Sequence, residues 1–477
     1  MKLGVYMEGE PWALDQMNRK GVAKFLTQYL DATPKINVLN VNSAWGSGKT
    51  FFLKNWVAEQ STERACVYFN AWETDFSGDA FVSLVASIKD QLHEAIGPLQ
   101  DAENLIKKFT AKASKTLIAA TPALAKGVIK KFTGVDVGLL SEIADGDALA
   151  EAAEKAVEKL IETNKETLAI VDDFKKVFNE LVVLSSLQRA AGGTAKPVYI
   201  FIDELDRCRP TFAIELLERI KHLFEVPGCK FIIATDTLQL SHSIRAVYGS
   251  GFASEKYLKR FFDAEFTLDN TDIGAWVKAN FSDISEETLV GLENTVELGR
   301  NFSHFESEPV KPDGEAILAG PHKLNQYQAT ILALALTFKS KLRELEKISM
   351  QINAVRTNCK SQGFHFFWAA YLVFLKDEAP DLYEMAVRGD YRNAMKQIQG
   401  QYDGKNLYFL ISNISVHEIF SHYLTRLREG KEAARQSMNR SSGSELGYIE
   451  RTNMAFYNEF DKMKNYTTLV ELAHSIE

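Results

Sequence analysis

Residues 43–50 read Ser-Ala-Trp-Gly-Ser-Gly-Lys-Thr. A loop of this kind binds phosphate. Small residues let backbone amides approach the anion, a lysine meets the β- and γ-phosphates, and a hydroxyl serves a magnesium ion. Gly46, Gly48, Lys49 and Thr50 supply those parts, with Trp45 and Ser47 between them, and Ser43 stands where the consensus has glycine. The plain alternative is an ordinary Gly-Ser loop before a helix. However, the apolar run Ile36–Val41 precedes it and a helical pattern, Phe51–Gln60, follows it, so strand, loop and helix come in the required order. A second centre lies at residues 202–207, Ile-Asp-Glu-Leu-Asp-Arg. The apolar run Val198–Ile202 sets Asp203 at the carboxyl tip of a strand. There it can hold Mg2+ through water, while Glu204 polarises an attacking water. An acidic pair after a strand also serves as a helix N-terminus. Beside a phosphate loop, the nucleotide reading is the stronger. No Asn/Thr-Lys-x-Asp run follows the fourth strand, which tilts the nucleotide towards ATP.

These centres need a scaffold. Four short apolar runs, Ile36–Val41, Ala65–Phe69, Val198–Ile202 and Lys230–Ala234, are each followed by polar residues and a helical pattern. The alternation predicts an α/β fold, a mostly parallel sheet flanked by helices. Between the second and third runs lies a long segment with helical spacing. Its first half, residues 105–135, has seven lysines (Lys107, Lys108, Lys112, Lys115, Lys126, Lys130, Lys131) and no acid. Residues 136–180 have twelve acids and five lysines. The strands are expected to end near Asp269, with helices over Gln326–Asn358, Phe364–Lys376, Ile414–Arg428 and Glu445–Ile476, and Phe364–Trp368 reads as helix core. The expected organisation is a phosphate-loop core in two halves, 1–95 and 193–269. A helical insertion, 96–192, interrupts it, and a helical domain, 270–477, follows as lid and partner-binding part.

Three segments together, Ala44–Thr50, Phe69-Asn-Ala-Trp-Glu73 and Phe201–Cys208, resemble the KAP family of P-loop NTPases. Trp45 inside the loop and the Asn-Ala-Trp after the second strand are the discriminating parts. Further similar stretches are Ile233–Asp236, Tyr257–Phe261 and Leu342–Lys347, so the resemblance spans about residues 12–353. It implies an additional-strand P-loop fold, with Lys49 and Thr50 on phosphate and metal, Asp203 on metal and Glu204 as catalytic base. Asp236 would be a sensor of the γ-phosphate; a cap of the following helix is the other reading. Arg343 resembles a sensor arginine of the helical lid, or a solvated arginine beside glutamates. Arg260 is either an arginine finger offered to a neighbouring subunit or a plain surface charge. Arg207 is expected to pair with Asp206. Asn70 and Trp72 read as positioning residues, with core packing the alternative for Trp72.

Composition narrows the remaining classes. Hydrophobic residues are 46% and charged residues 25% of 477, as in a globular protein, and the formal charge of −8 disfavours a general nucleic-acid or anionic-lipid coat. Four cysteines occur without a CxxC pair, and the nine histidines show no metal-ligand spacing. No run of 18 apolar residues occurs. The expected location is the cytoplasm, or the inner membrane face if the lysine-rich half attaches there. That half is open to three readings: neutralisation by the acidic half, peripheral membrane attachment, or contact with nucleic acid or a partner protein. For the whole chain the leading expectation is an ATPase driving a conformational or assembly switch, as a homo-oligomer or with a partner protein held by the C-terminal domain. A non-hydrolysing nucleotide-bound module and a membrane-surface scaffold are the alternatives. By the resemblance, a role in phage exclusion or defence follows.

Overall fold

The computed structural model describes residues 10–77, 79–97, 100–120, 146–190, 193–268, 272–281, 324, 326–359, 364–409, 412–438 and 447–475. The chain forms two compact units, residues 1–269 and 270–477.

The first unit is built on five strands: β1 (Val38–Asn42), β2 (Cys66–Asn70), β3 (Val198–Asp203), β4 (Cys229–Thr235) and β5 (Ala264–Thr267), in the order β2-β3-β4-β1-β5. All pairings are parallel, with Val38 opposite Phe231 and Asn70 opposite Asp203. The central strands are buried and mostly apolar because helices cover both faces, with Asn40 of β1 and Lys230 of β4 as polar residues inside them. Alternate residues enter opposite cores. Val198, Ile200 and Ile202 join one core with Phe231 and Ile233, whereas Tyr199 and Phe201 join the other with Ile232 and Ala234.

The second core is closed by α1 (Arg19–Ala32) and α2 (Lys49–Gln60). A four-residue helix, α3 (Ala71–Thr74), follows β2, and α4 (Ala80–Ile96) begins at Asp79, whose carboxylate accepts from the Val82 amide at 2.9 Å. The long segment that follows holds α5 (Gln100–Ala120) and α6 (Gly146–Arg189), which pack on each other. They are rooted in the first core: the Phe174 ring lies 5.4 Å from Phe109, 5.6 Å from Phe81 and 5.4 Å from Phe224. Lys112 pairs with Asp173 across the two helices at 2.6 Å. Lys126, Lys130 and Lys131 lie outside the described residues. The unit ends with α7 (Pro210–Leu223), α8 (Thr237–Tyr248) and α9 (Ser254–Leu258). No helix among the described residues is long and apolar enough to cross a membrane.

In the second unit, α10 (Ile273–Asn280), α11 (Gln326–Phe338) and α12 (Leu342–Asn358) precede α13 (Phe366–Glu378). The expected single helix over Gln326–Asn358 is thus two. Lys339 adopts φ 59°, and Glu344 of the next first turn accepts from the Lys341 amide at 2.5 Å, so a new N-terminus forms without Gly or Pro to announce it. All ten residues Phe366–Leu375 are buried, and Trp368 stacks on Phe420 and Tyr423 at 5.3 and 5.5 Å. After α14 (Pro380–Arg388) and α15 (Tyr391–Gln401) comes an antiparallel hairpin, β6 (Asn406–Phe409) with β7 (Ser412–Ser415). The expectation that strands stop near residue 270 therefore fails. Two four-residue strands are too short to show a period-2 pattern. Ser415 ends β7 and caps α16 (Val416–Glu429), so the helix expected from Ile414 starts two residues later. The last helices are α17 (Lys431–Met438) and α18 (Gly447–His474).

Candidate functional site

The loop between β1 and α2 turns at two glycines. Gly46 has φ 78° and Gly48 φ 85°, the left-handed region where a side chain costs about 1 kcal/mol or more. A Cβ on Gly48 would also stand 2.5 Å from Arg19 Nη1. Ser43 needs no such freedom: its amide donates to Thr235 O at 3.0 Å and its hydroxyl to Leu268 O at 2.7 Å, which fastens the strand end. A serine at the first consensus position is therefore compatible with the turn.

Lys49, the first residue of α2, is 8% exposed. Its Nζ donates to Ser43 O at 2.6 Å and to Ala44 O at 3.2 Å, and lies 3.8 Å from Asp206 Oδ2. Burial lowers its pKa, and Asp206, Asp236 and Asp203 oppose that in this order. Arg19 of α1 is buried and reaches the loop from behind, donating to Ser47 O at 2.5 Å and Gly48 O at 3.1 Å. Nothing in its sequence context announces this. It is one arginine in an amphipathic helix.

Asp203 ends β3, 1% exposed. It accepts from the Tyr68 hydroxyl at 2.8 Å and the Glu204 amide at 2.9 Å, and the Thr50 hydroxyl also favours its charged form. Burial raises its pKa against these bonds. In the sequence Tyr68 is one residue of the apolar run Ala65–Phe69, and nothing there marks its hydroxyl. Glu204 follows with φ 59° and ψ 26°, a left-handed conformation on a residue with a side chain. Its pKa is also raised, first by burial, with Arg207 opposing. Arg207 Nη1 meets Glu204 Oε1 at 2.9 Å, so the expected Arg207–Asp206 pair is replaced. The left-handed turn puts Glu204 on the side of Arg207, while Asp206 faces Lys49. Trp72, the third residue of Asn70-Ala-Trp, is 53% exposed and lies against the Arg207 guanidinium at 5.8 Å. The core reading of Trp72 is thereby excluded. Asn70 caps α3, accepting from the amides of Trp72 and Glu73.

Asp236 follows β4 and does two things. Its Oδ1 accepts from the Gln239 amide at 3.2 Å, capping α8, and its Oδ2 accepts from the Trp45 amide at 3.1 Å. Arg260 is exposed beyond α9, and Arg343 is exposed in the first turn of α12 in the second unit. Among the described residues, Arg260 makes no hydrogen bond or ion pair with the loop or with the carboxylates. Those residues contain no group of three or more His, Cys, Asp or Glu able to enclose a metal.

The loop on β1 and the acids on β3 are therefore separated by one strand, β4, which carries Asp236. A parallel sheet with this loop, this acidic tip and this intervening strand defines a P-loop NTPase architecture. A family model described as the KAP family P-loop domain matches residues 19–358, and the chain belongs to that family. No curated protein matches the chain.

Proposed function

We propose that the protein is an ATPase that uses Mg-dependent hydrolysis to drive a conformational or assembly switch. One observation carries the reading: Lys49 of the phosphate loop lies 3.8 Å from Asp206, three residues beyond Asp203 at the tip of β3, and the Thr50 hydroxyl acts on the Asp203 carboxyl, with Glu204 next to it. A hydroxyl beside a desolvated carboxylate suits a divalent cation, whose charge would relieve the burial of Asp203. Thr50 and Asp203 would hold Mg2+, which supplies charge neutralisation on the transferred phosphoryl group.

The chain's own residues do the rest. Gly46, Ser47 and Gly48 bring backbone amides to the phosphates, and Lys49 adds a cation in a site that excludes most water. Glu204 takes the proton of the attacking water as it adds to the γ-phosphorus and the bond to ADP breaks. Burial raises its pKa, which moves a carboxylate towards the range of an effective base. Asp236 reports the state of the loop to α8 by holding the Trp45 amide. Arg260 and Arg343 stand as candidates to complete the site from a neighbouring copy and from the helical unit. The second unit, residues 270–477, serves as lid and partner-binding part in this reading, and a defence role rests on the family resemblance alone.

Phosphate release by the purified chain with ATP and Mg2+ tests the reading. Glu204→Gln should keep ATP binding and slow turnover by roughly 100-fold or more. Absence of turnover in the parent, with ATP still bound, would favour a binding-only switch.

A further inference from the structure

Trp45 is a bulky residue in a loop whose chemistry asks for small ones, and Asp206 is an acid that neither the metal nor the water needs. The two meet at the centre of the site. Trp45 Nε1 donates to Asp206 Oδ2, and the same oxygen lies 3.8 Å from Lys49 Nζ. Asp206 is 5% exposed, so its charge faces little water. Lys49 also donates to Ser43 O and Ala44 O, so two of its three N–H groups are taken and Asp206 is its ion-pair partner at longer range. The Trp45 amide, which a phosphate loop would turn on its anion, is held by Asp236.

We propose that Trp45 and Asp206 are a positioning pair: they hold the phosphate loop and Lys49 in a closed arrangement that a nucleoside triphosphate must displace. This rests on the nucleotide reading above. The pair acts through Lys49, because an entering phosphate must take the ammonium's charge away from Asp206, which Trp45 holds in place. Among the groups that oppose the desolvation of Lys49, Asp206 is the largest, as a competing counter-ion should be. Two negative groups, Asp206 and an entering phosphate, then contend for one cation. A brace of purely mechanical value makes the opposite prediction, since removing it would loosen the loop and weaken binding.

The test uses the full chain, titrated with Mg-ATP by calorimetry and followed by tryptophan emission. Asp206→Asn keeps an acceptor for the indole and removes the charge. It should tighten ATP by about five- to tenfold, a shift of about 1 to 1.4 kcal/mol, with KM falling more than kcat changes. Trp45→Phe keeps the ring, removes the donor and should shift affinity in the same direction by less. The two effects should be non-additive in the double variant. Emission should change on ATP addition in the parent and in Trp72→Phe, and stay flat in Trp45→Phe. Unchanged or weaker affinity in Asp206→Asn, with the parent binding ATP, overturns the pair alone. If Asp206→Asn does not fold, Trp45→Phe decides by the same sign. A parent that does not bind ATP overturns both the pair and the nucleotide reading.

Discussion

Lys49 is buried among carbonyls and carboxylates that stabilise its charge, so its removal leaves the acids facing one another. Lys49→Ala should abolish tight ATP binding in a calorimetric titration, because no other cation of the loop replaces it. Retained affinity would place the triphosphate elsewhere. Glu204 makes a different prediction. Its left-handed backbone costs roughly 1–2 kcal/mol, which glycine does not incur. Glu204→Gly should therefore lose turnover yet unfold in urea with a midpoint equal to or above the parent's, net of the extra chain entropy of glycine and the lost Arg207 contact. A clear fall in midpoint would mean that the conformation is not strained. A residue that lowers stability while carrying chemistry is what a hydrolytic site is expected to contain.

At the scale of elements, most of the sheet was legible and the polar wiring was not. Strands β1 to β4 showed as short apolar runs because both of their faces are buried, and the loop with its two acids could be placed on their tips. The edge strand β5 has alternating intermediate and exposed residues and no such run. Arg19 and Tyr68 were invisible for a physical reason: each reaches the site from a separate element by a hydrogen bond that no spacing encodes. Arg64 shows the same limit. It is 1% exposed, bonded twice to Asp31 of α1 at 2.7 and 2.8 Å, with its guanidinium 4.1 Å from the Tyr199 ring. Burial alone would raise the Asp31 pKa, but hydrogen bonds from Arg64 and Tyr199 outweigh it and hold the carboxyl below its usual range. A depressed folded pKa contributes stability above the ordinary carboxylate pKa, and that stability is lost as pH falls through the folded value. Asp31→Asn should cost about 2–3 kcal/mol at neutral pH, less than a fully buried pair because the Asp31 side chain is 33% exposed, and should flatten the acid limb of a denaturation series. Phe174→Ala should cost about 3–5 kcal/mol, since its ring ties α6 to α4, α5 and the end of α7. A loss below 1 kcal/mol would show that the insertion folds apart from the sheet.

For the whole molecule, assembly is the open property with a direct readout. If Arg260 completes a neighbour's site, ATPase activity per chain rises with protein concentration, and Arg260→Ala removes turnover with affinity nearly unchanged. Constant specific activity from a sedimenting monomer would refute this. The lysine-rich half of the insertion is tested by flotation with anionic vesicles at low salt. Because Lys112 is already paired with Asp173, weak flotation that salt abolishes is the expected result. The strand order has a further consequence, for synthesis. Among the described residues, β1 pairs with β4 and β5, and β2 with β3. The first two strands to leave the ribosome are therefore not partners of each other. At about 5–20 residues per second, the roughly 130 residues between β2 and β3 take on the order of ten seconds to appear. Throughout that interval two apolar segments wait with open edges, shielded by whatever α1, α2, α4, α5 and, once made, α6 can cover. Nascent chains arrested before residue 198 should be bound by chaperones and cut by protease within those segments. Arrest after β5 has emerged should remove both signs at once, because one closure supplies every missing neighbour.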